Sequence, residues 1–315
     1  MKEFLRWMKK HTARLALGLC VLALVGVGIF IQRTTHEEKS IEELKVLTIA
    51  APTSTWVPVA PFLVGAPSFW TSDPVTGPCP ASRAEPLLIL PHYIPAHART
   101  ERALAAWKAC SSMPEVKRVI VVSPDHYRRL TTGLATLAAD GYDTPLGTIS
   151  TDPNLQAKFA EKGIRAQTDL FYAEHGAGAF PVFIKQFFPE ATFTPLVISA
   201  QATQQQVRTA ADILRAELAA SSTLVIVTAD FSHYLSQDLS DRKDQETLAA
   251  ISKRDASFLW GARDDHSDLG RGLWLALQLA SPSSVFHVYD TLNSAELGGD
   301  RGRTTGFVWG WWGRN

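Results

Sequence analysis

The chain has 315 residues, 46% of them hydrophobic, and its 31 Lys and Arg are balanced by 31 Asp and Glu. That is room for one large domain or two modest ones. The zero net charge gives no reason to invoke nucleic acid, the basic residues are scattered, and no RNA- or DNA-binding motif is present.

The N-terminus carries an apolar run at 15–31, bracketed by Arg14 and Arg33. Its length is at the short end of a membrane span. Lys2, Arg6, Lys9, Lys10 and Arg14 precede it, a bias that keeps the N-terminus in the cytoplasm. A cleaved signal peptide shares this pattern, but no Ala-x-Ala box follows the run. The expectation is an uncleaved transmembrane helix, single-pass in the cell membrane, with the main domain extracytoplasmic. Of the three cysteines, Cys79 and Cys110 could pair as a disulfide in an oxidising compartment or remain thiols. No Cys-x-x-Cys exists, which excludes a paired-cysteine zinc site.

Residues 34–40 read as a spacer and 44–51 as a strand. Residues 52–86 are rich in Pro, Ser, Thr and Gly with Trp56, Phe62, Phe69 and Trp70 among them, which suggests irregular chain that packs on something. From Leu87 the pattern is regular. Strands are expected at 87–90, 116–122, 192–198, 223–228, 285–289 and 304–311. Helices are expected at 100–110, 178–188, 204–220, 244–251 and 269–280, and 141–147 reads as a turn. Alternating strands and helices predict an α/β fold, a three-layer sandwich with a mostly parallel central sheet. The expected domains are a basic tip and anchor (1–33), a spacer with the Pro- and aromatic-rich segment (34–86), and the α/β domain (87–315).

Four histidines stand at the edges of apolar or helix-like segments: His92 after Leu-Leu-Ile-Leu-Pro, His126 after Val-Ile-Val-Val-Ser-Pro-Asp, His175 after Glu174, and His233 after Val-Ile-Val-Thr-Ala-Asp-Phe-Ser. The β-branched runs read as buried parallel strands, and residues just past their carboxyl ends gather in one crevice. His92 and His126 can share a metal there, or can be two hydrogen-bonded histidines at strand ends. An Asp230 brought beside His233 by a loop would orient it as a general base. Glu174 also suits the start of a helix, where a carboxylate meets the positive dipole end. Ser232 lacks the Gly-x-Ser-x-Gly setting of a hydrolase nucleophile.

In their order and spacing, Pro91-His92, Ser123-Pro124-Asp125-His126, Ala173-Glu174-His175, Asp230-Phe231-Ser232-His233-Tyr234 and the closing Asn293-Ser294 with 299–307 resemble the Memo-like family, also named AmmeMemoRadiSam system protein B. That family resembles class III extradiol ring-cleavage dioxygenases in fold. The resemblance implies that His92 and His126 are metal ligands and that His175, His233 and Asp230 hold catalytic or supporting places. This chain departs from the family at Tyr93-Ile94, at Gly176, and at a missing metal-site cysteine before the apolar helix. Alignment on that helix puts His266 at the cysteine's place, with Asp265 or Asp268 as carboxylate alternatives. Otherwise the acidic loop binds nothing and the site is lost.

The resulting expectation is a membrane-anchored Memo-like protein with a divalent metal held by His92, His126 and His266. Iron(II) is favoured, with copper or zinc as alternatives. The expected activity is dioxygenase-like redox chemistry on a small organic substrate. A metal-dependent hydrolase and a non-enzymatic metal- or peptide-binding module are the other readings. The partners implied are that substrate and, through the N-terminal helix, the membrane. The sequence sets no oligomeric state.

Overall fold

A computed structural model of the chain describes residues 56–58 and 83–314, except 114, 131, 132 and 221. The expected anchor at 15–31 and the strand at 44–51 lie outside the described residues. Residues 55–315 form one compact unit.

In chain order the elements are β1 (Trp56–Pro58), β2 (Arg83–Leu90), α1 (His97–Cys110), β3 (Arg118–Pro124), β4 (Leu134–Leu137), β5 (Gly141–Thr144), β6 (Gly147–Ser150), α2 (Pro153–Glu161) and β7 (Arg165–Gln167). They continue with α3 (His175–Gly178), α4 (Pro181–Phe187), β8 (Thr192–Ile198), α5 (Gln204–Ala219), β9 (Thr223–Thr228), β10 (His233–Leu235), α6 (Gln237–Ser252), α7 (Ala256–Gly261), α8 (Gly270–Leu279), β11 (Val285–Asn293) and β12 (Thr304–Arg314). The main sheet runs β10-β12-β2-β9-β3-β8-β4-β7, with β11 paired to β12. Its centre is parallel, β2 on β9, β9 on β3, and β3 on β8. Antiparallel pairs flank it, β12 on β2 at one side and β4 on β8 at the other. The sheet is therefore mixed rather than mostly parallel.

Alternation along the central strands builds two cores. Leu88, Leu90, Val119, Val121 and Ile226 face a layer with Leu104 and Trp107 of α1 and Phe183 of α4. Leu87, Ile89, Ile120, Val122, Val225 and Val227 face Val207 and Leu214 of α5 and Leu273 and Trp274 of α8. Successive side chains point to opposite faces, and helices cover both, so the stretches 87–90, 119–122 and 224–227 of these strands are apolar at every position.

Several expected bounds shift. The helix expected at 178–188 is shorter, α4 at Pro181–Phe187, with Pro181 in its first turn where it has no amide to contribute, and the separate short α3 precedes it. The segment 141–147 is a strand and the start of a hairpin rather than a turn alone, with Gly147 at φ +103 where a side chain would be strained. Helix α2 was not anticipated. Asp152 caps it by accepting from Asn154 N and Leu155 N, and Pro153 takes its first position. Cys110 is disulfide-bonded, and the other two cysteines lie outside the described residues. No helix among the described residues is long and apolar enough to cross a membrane.

Candidate metal centre

The parallel centre of the sheet brings the ends of β2, β3 and β9 together, as expected of residues past strand carboxyl ends. Leu90 pairs with Thr228, so His92 emerges beside Thr228, and its Nδ1 lies 3.1 Å from Thr228 Oγ1. His126 follows β3 through a tight turn in which Asp125 accepts from Arg129 N and Leu130 N. The two rings meet edge-on, with Nε2 atoms 3.0 Å apart.

Glu174 fixes the second ring. It is 1% exposed, caps α3 through Gly176 N, and accepts from His126 N and Nδ1 at 3.0 and 2.6 Å. A carboxylate only accepts, so the His126 hydrogen sits on Nδ1 and Nε2 is turned toward His92. The glycine at 176 is a consequence of this packing. A Cβ there would lie 2.5 Å from Ser123 Oγ and 3.0 Å from His126 Cε1.

The third group is Asp268. Its Oδ2 lies 3.2 Å from His92 Nε2 and 3.5 Å from His126 Nε2, yet neither oxygen has an aligned hydrogen-bond partner although both are buried. Ser267 holds the loop by donating to Asp230 O. Burial opposes ionisation of Asp268, but the charges of His92 and His126 outweigh it and hold the carboxyl far below its usual range. For His126, burial is likewise outweighed, by the Asp268 and Glu174 carboxylates, and its pKa rises to about 10. His92 is also raised, by Asp230 and Asp268 against burial.

His266 is not part of this cluster, which corrects the expected ligand set. Its Nε2 lies 2.9 Å from Glu246 Oε2 and 3.2 Å from Lys243 Nζ, and its Nδ1 lies 3.2 Å from Asp265 Oδ1. Asp265 itself pairs with Lys243. The amides of His266 and Ser267 both bond to Arg263 O, a helical turn. Residues two apart on such a turn point in nearly opposite directions. With His266 on the outer side, Asp268 faces inward.

His175 lies against His126, with ring centroids 3.9 Å apart and the planes tilted by 34°. Burial and the neighbouring charges of His126 and His92 lower its pKa to about 4, so it is neutral at pH 7. Groups with ligand atoms within 4.8 Å of one another are His92, His126 and His175, and His92, Asp230 and Asp268. Asp230 does not orient His233, a second correction. It accepts from His92 N at 3.2 Å, and its other oxygen lies 3.6 Å from His92 Nε2. His233 Nδ1 instead faces Phe231 O at 2.8 Å. A carbonyl accepts only, so the His233 hydrogen is on Nδ1 and Nε2 carries the lone pair. Ser232 Oγ is engaged with Ser240.

The donor set fits a cation. Bonds of about 2.1 Å to one ion imply donor separations near 3 Å, and an ionised, buried carboxylate without a donor is what such an ion would satisfy. Sequence reasoning missed Glu174's hold on His126 and treated Asp268 only as an alternative. The signal for Asp268 was its position just ahead of α8.

The sequence model described as Memo-like protein matches residues 71–264. The chain belongs to the Memo-like family. A MEMO1 family protein of Pyrobaculum aerophilum is 26% identical over 221 residues, covering 65% of this chain and 76% of the relative. Another, from Methanothermobacter thermautotrophicus, is 26% identical over 202 residues, covering 60% and 71%. An uncharacterized protein from Escherichia coli K12, of known crystal structure, superposes with a TM-score of 0.50 at 12% identity over 71% of this chain and 98% of its own, a likeness of fold alone. The Memo-like match ends before Asp268, so that residue's place rests on geometry. The expected single-pass, extracytoplasmic placement is corrected: the relatives are MEMO1 family proteins, and no helix among the described residues, which do not include 15–31, is long and apolar enough to cross a membrane.

Next to the cluster, Asp244 of α6 accepts from Ser232 N at 2.9 Å and so holds the segment leading to His233. Gly306 lies against its carboxylate too closely to carry a Cβ. Burial pushes Asp244 from 3.8 up to about 6, although hydrogen bonds from Ser232 pull the other way. A carboxyl with a raised folded pKa stabilises the fold while protonated, fully below pH 3.8, and this is lost as pH rises through about 6. A displacement of this size is worth about 3 kcal/mol at most. Asp244→Asn keeps an acceptor but removes the titration. It is expected to flatten the stability profile between about pH 4 and pH 7 in urea unfolding. Parallel profiles for variant and wild type would show that Asp244 titrates normally.

Proposed function

We propose that this Memo-like protein is a metal-dependent oxidoreductase acting on a small organic substrate, with His92, His126 and Asp268 as the ligands. The supporting observation is the convergence of two imidazole Nε2 atoms and one unpartnered carboxylate within 3.5 Å. Two histidines and a carboxylate with positions left open are the arrangement of non-haem iron(II) oxygenases. Bound iron(II) would supply a site where substrate and dioxygen meet.

The chain's own groups do the rest. Glu174 and Thr228 hold the ligand rings in orientation. His233 Nε2, freed by the Nδ1 contact to Phe231 O, takes a proton from the substrate. Neutral His175 offers a hydrogen bond to negative charge developing on the substrate. Asp230 braces the His92 backbone.

Elemental analysis of anaerobically purified protein, followed by dioxygen uptake across a panel of catechols and other small organic acids, tests this. An equimolar content of iron and substrate-dependent uptake are expected. Zinc in place of iron would favour metal-activated water and hydrolysis. Failure to bind any divalent metal would leave a non-enzymatic binding module.

A further inference from the structure

Asp268 is shared between the metal cluster and a crevice of about 670 Å³ whose wall also includes Arg128, Ser199, Trp260, Arg263 and Arg271. Its volume is that of a small-molecule site. None of the three arginines forms an ion pair with a carboxylate among the described residues. Arg271 donates Nε–H to Ala202 O and lies over the Trp260 ring at 4.9 Å, which leaves its terminal nitrogens for the crevice. Arg263 is exposed, its carbonyl is spent on the 266–267 turn, and its guanidinium is near enough to Arg271 to repel it. Arg128 sits at φ 51, a left-handed conformation that costs a non-glycine residue and recurs at functional sites.

The acidic residues on the same wall do not cancel this charge. Asp125 is occupied by the amides of Arg129 and Leu130. Asp265 is paired with Lys243 and His266, and Asp268 faces the histidines. Only Asp264, which is exposed, remains against three guanidinium groups. Like charges held together without a counter-ion are stabilised by an anion that binds both, and planar guanidinium suits bidentate oxyanions.

We propose that this crevice is the anion subsite of the substrate: Arg128, Arg263 and Arg271 take the carboxylate or phosphate group of a small organic acid whose remaining atoms extend past Asp268 to the metal centre. The orientation of that ligand rests on the metal reading; the anion site itself does not. The substrate class is therefore a small organic acid rather than a neutral compound.

The test uses the full-length protein freed of metal by chelation, with benzoate and inorganic phosphate as probes and benzamide as the uncharged control. Calorimetry and thermal shift should detect both anions or one of them, and no benzamide. The stronger probe tells carboxylate from phosphate. Arg263→Gln with Arg271→Gln should weaken anion binding at least about 10-fold, the expected loss of charged hydrogen bonds. Arg128→Gly should weaken it without lowering the melting temperature of the free protein, because glycine relieves the left-handed backbone. Iron(II) affinity should be unchanged in both variants. The subsite is overturned if neither anion binds, if benzamide matches benzoate, or if affinity survives the double variant. Anion binding to a protein that takes up no metal would retain the subsite and discard the metal reading; metal binding without anion binding would do the reverse.

Discussion

Asp268→Ala is expected to lower affinity for iron(II) by at least about 100-fold, whereas His266→Ala leaves it within about threefold of wild type. Loss of groups that only orient ligands already costs 10- to 100-fold in metal sites, and Asp268 lies 3.2 Å from His92 Nε2 with no other donor aligned to it. His266 is committed to Glu246, Lys243 and Asp265. An anaerobic chelator-competition titration measures both, with circular dichroism confirming that each variant is folded. A loss in His266→Ala with none in Asp268→Ala would restore the histidine ligand set. Equal affinity in both variants and wild type would remove the acidic loop from the site.

The second large effect is on stability and lies away from the crevice. Arg118, at the start of β3, bonds Asp152 and Glu217 at 2.5 Å each, and Lys158 reaches the other Glu217 oxygen. Asp152 and Glu217 are only 5% and 4% exposed. Arg118→Met leaves Asp152 without a cation and Glu217 with Lys158 alone, and breaking a buried pair from one side costs about 3–5 kcal/mol. The Arg118 side chain is 23% exposed, which places the loss at the lower end. At about 2–4 °C per kcal/mol for a domain of this size, the melting temperature should fall by roughly 6–12 °C. Differential scanning fluorimetry reads this directly, and a fall below about 2 °C would mean that the network contributes only as surface ion pairs do. Metal binding should survive, because no ligand contacts this cluster.

Much of the sheet was legible in the sequence because its physics is local. Leu87 to Leu90, Val119 to Val122 and Leu224 to Val227 are apolar at every position, which only a strand covered on both faces requires. Histidines just beyond two of those runs were enough to point to one crevice, since parallel strands end on the same side. Helix α2 was missed, although Asp152-Pro153 carries its start signal, a capping residue followed by the residue that suits a first turn. The short strands β4 to β7 carried no such period, and they exist because β8 and one another supply hydrogen-bond partners.

What the sequence by itself determined is the family, the α/β layering and the identity of His92 and His126 as neighbours. Tertiary structure decided which residue of the acidic loop faces them. His266 and Asp268 are two positions apart, and their directions depend on the phase of one turn, set by bonds to Arg263 O and Asp230 O. Tertiary structure also decided that Glu174, 48 residues from His126, holds that ring, and that a backbone carbonyl rather than Asp230 orients His233. Such contacts leave no local pattern. A side chain's direction is set by whichever distant backbone group satisfies its loop, and that partner exists only once the strands have assembled.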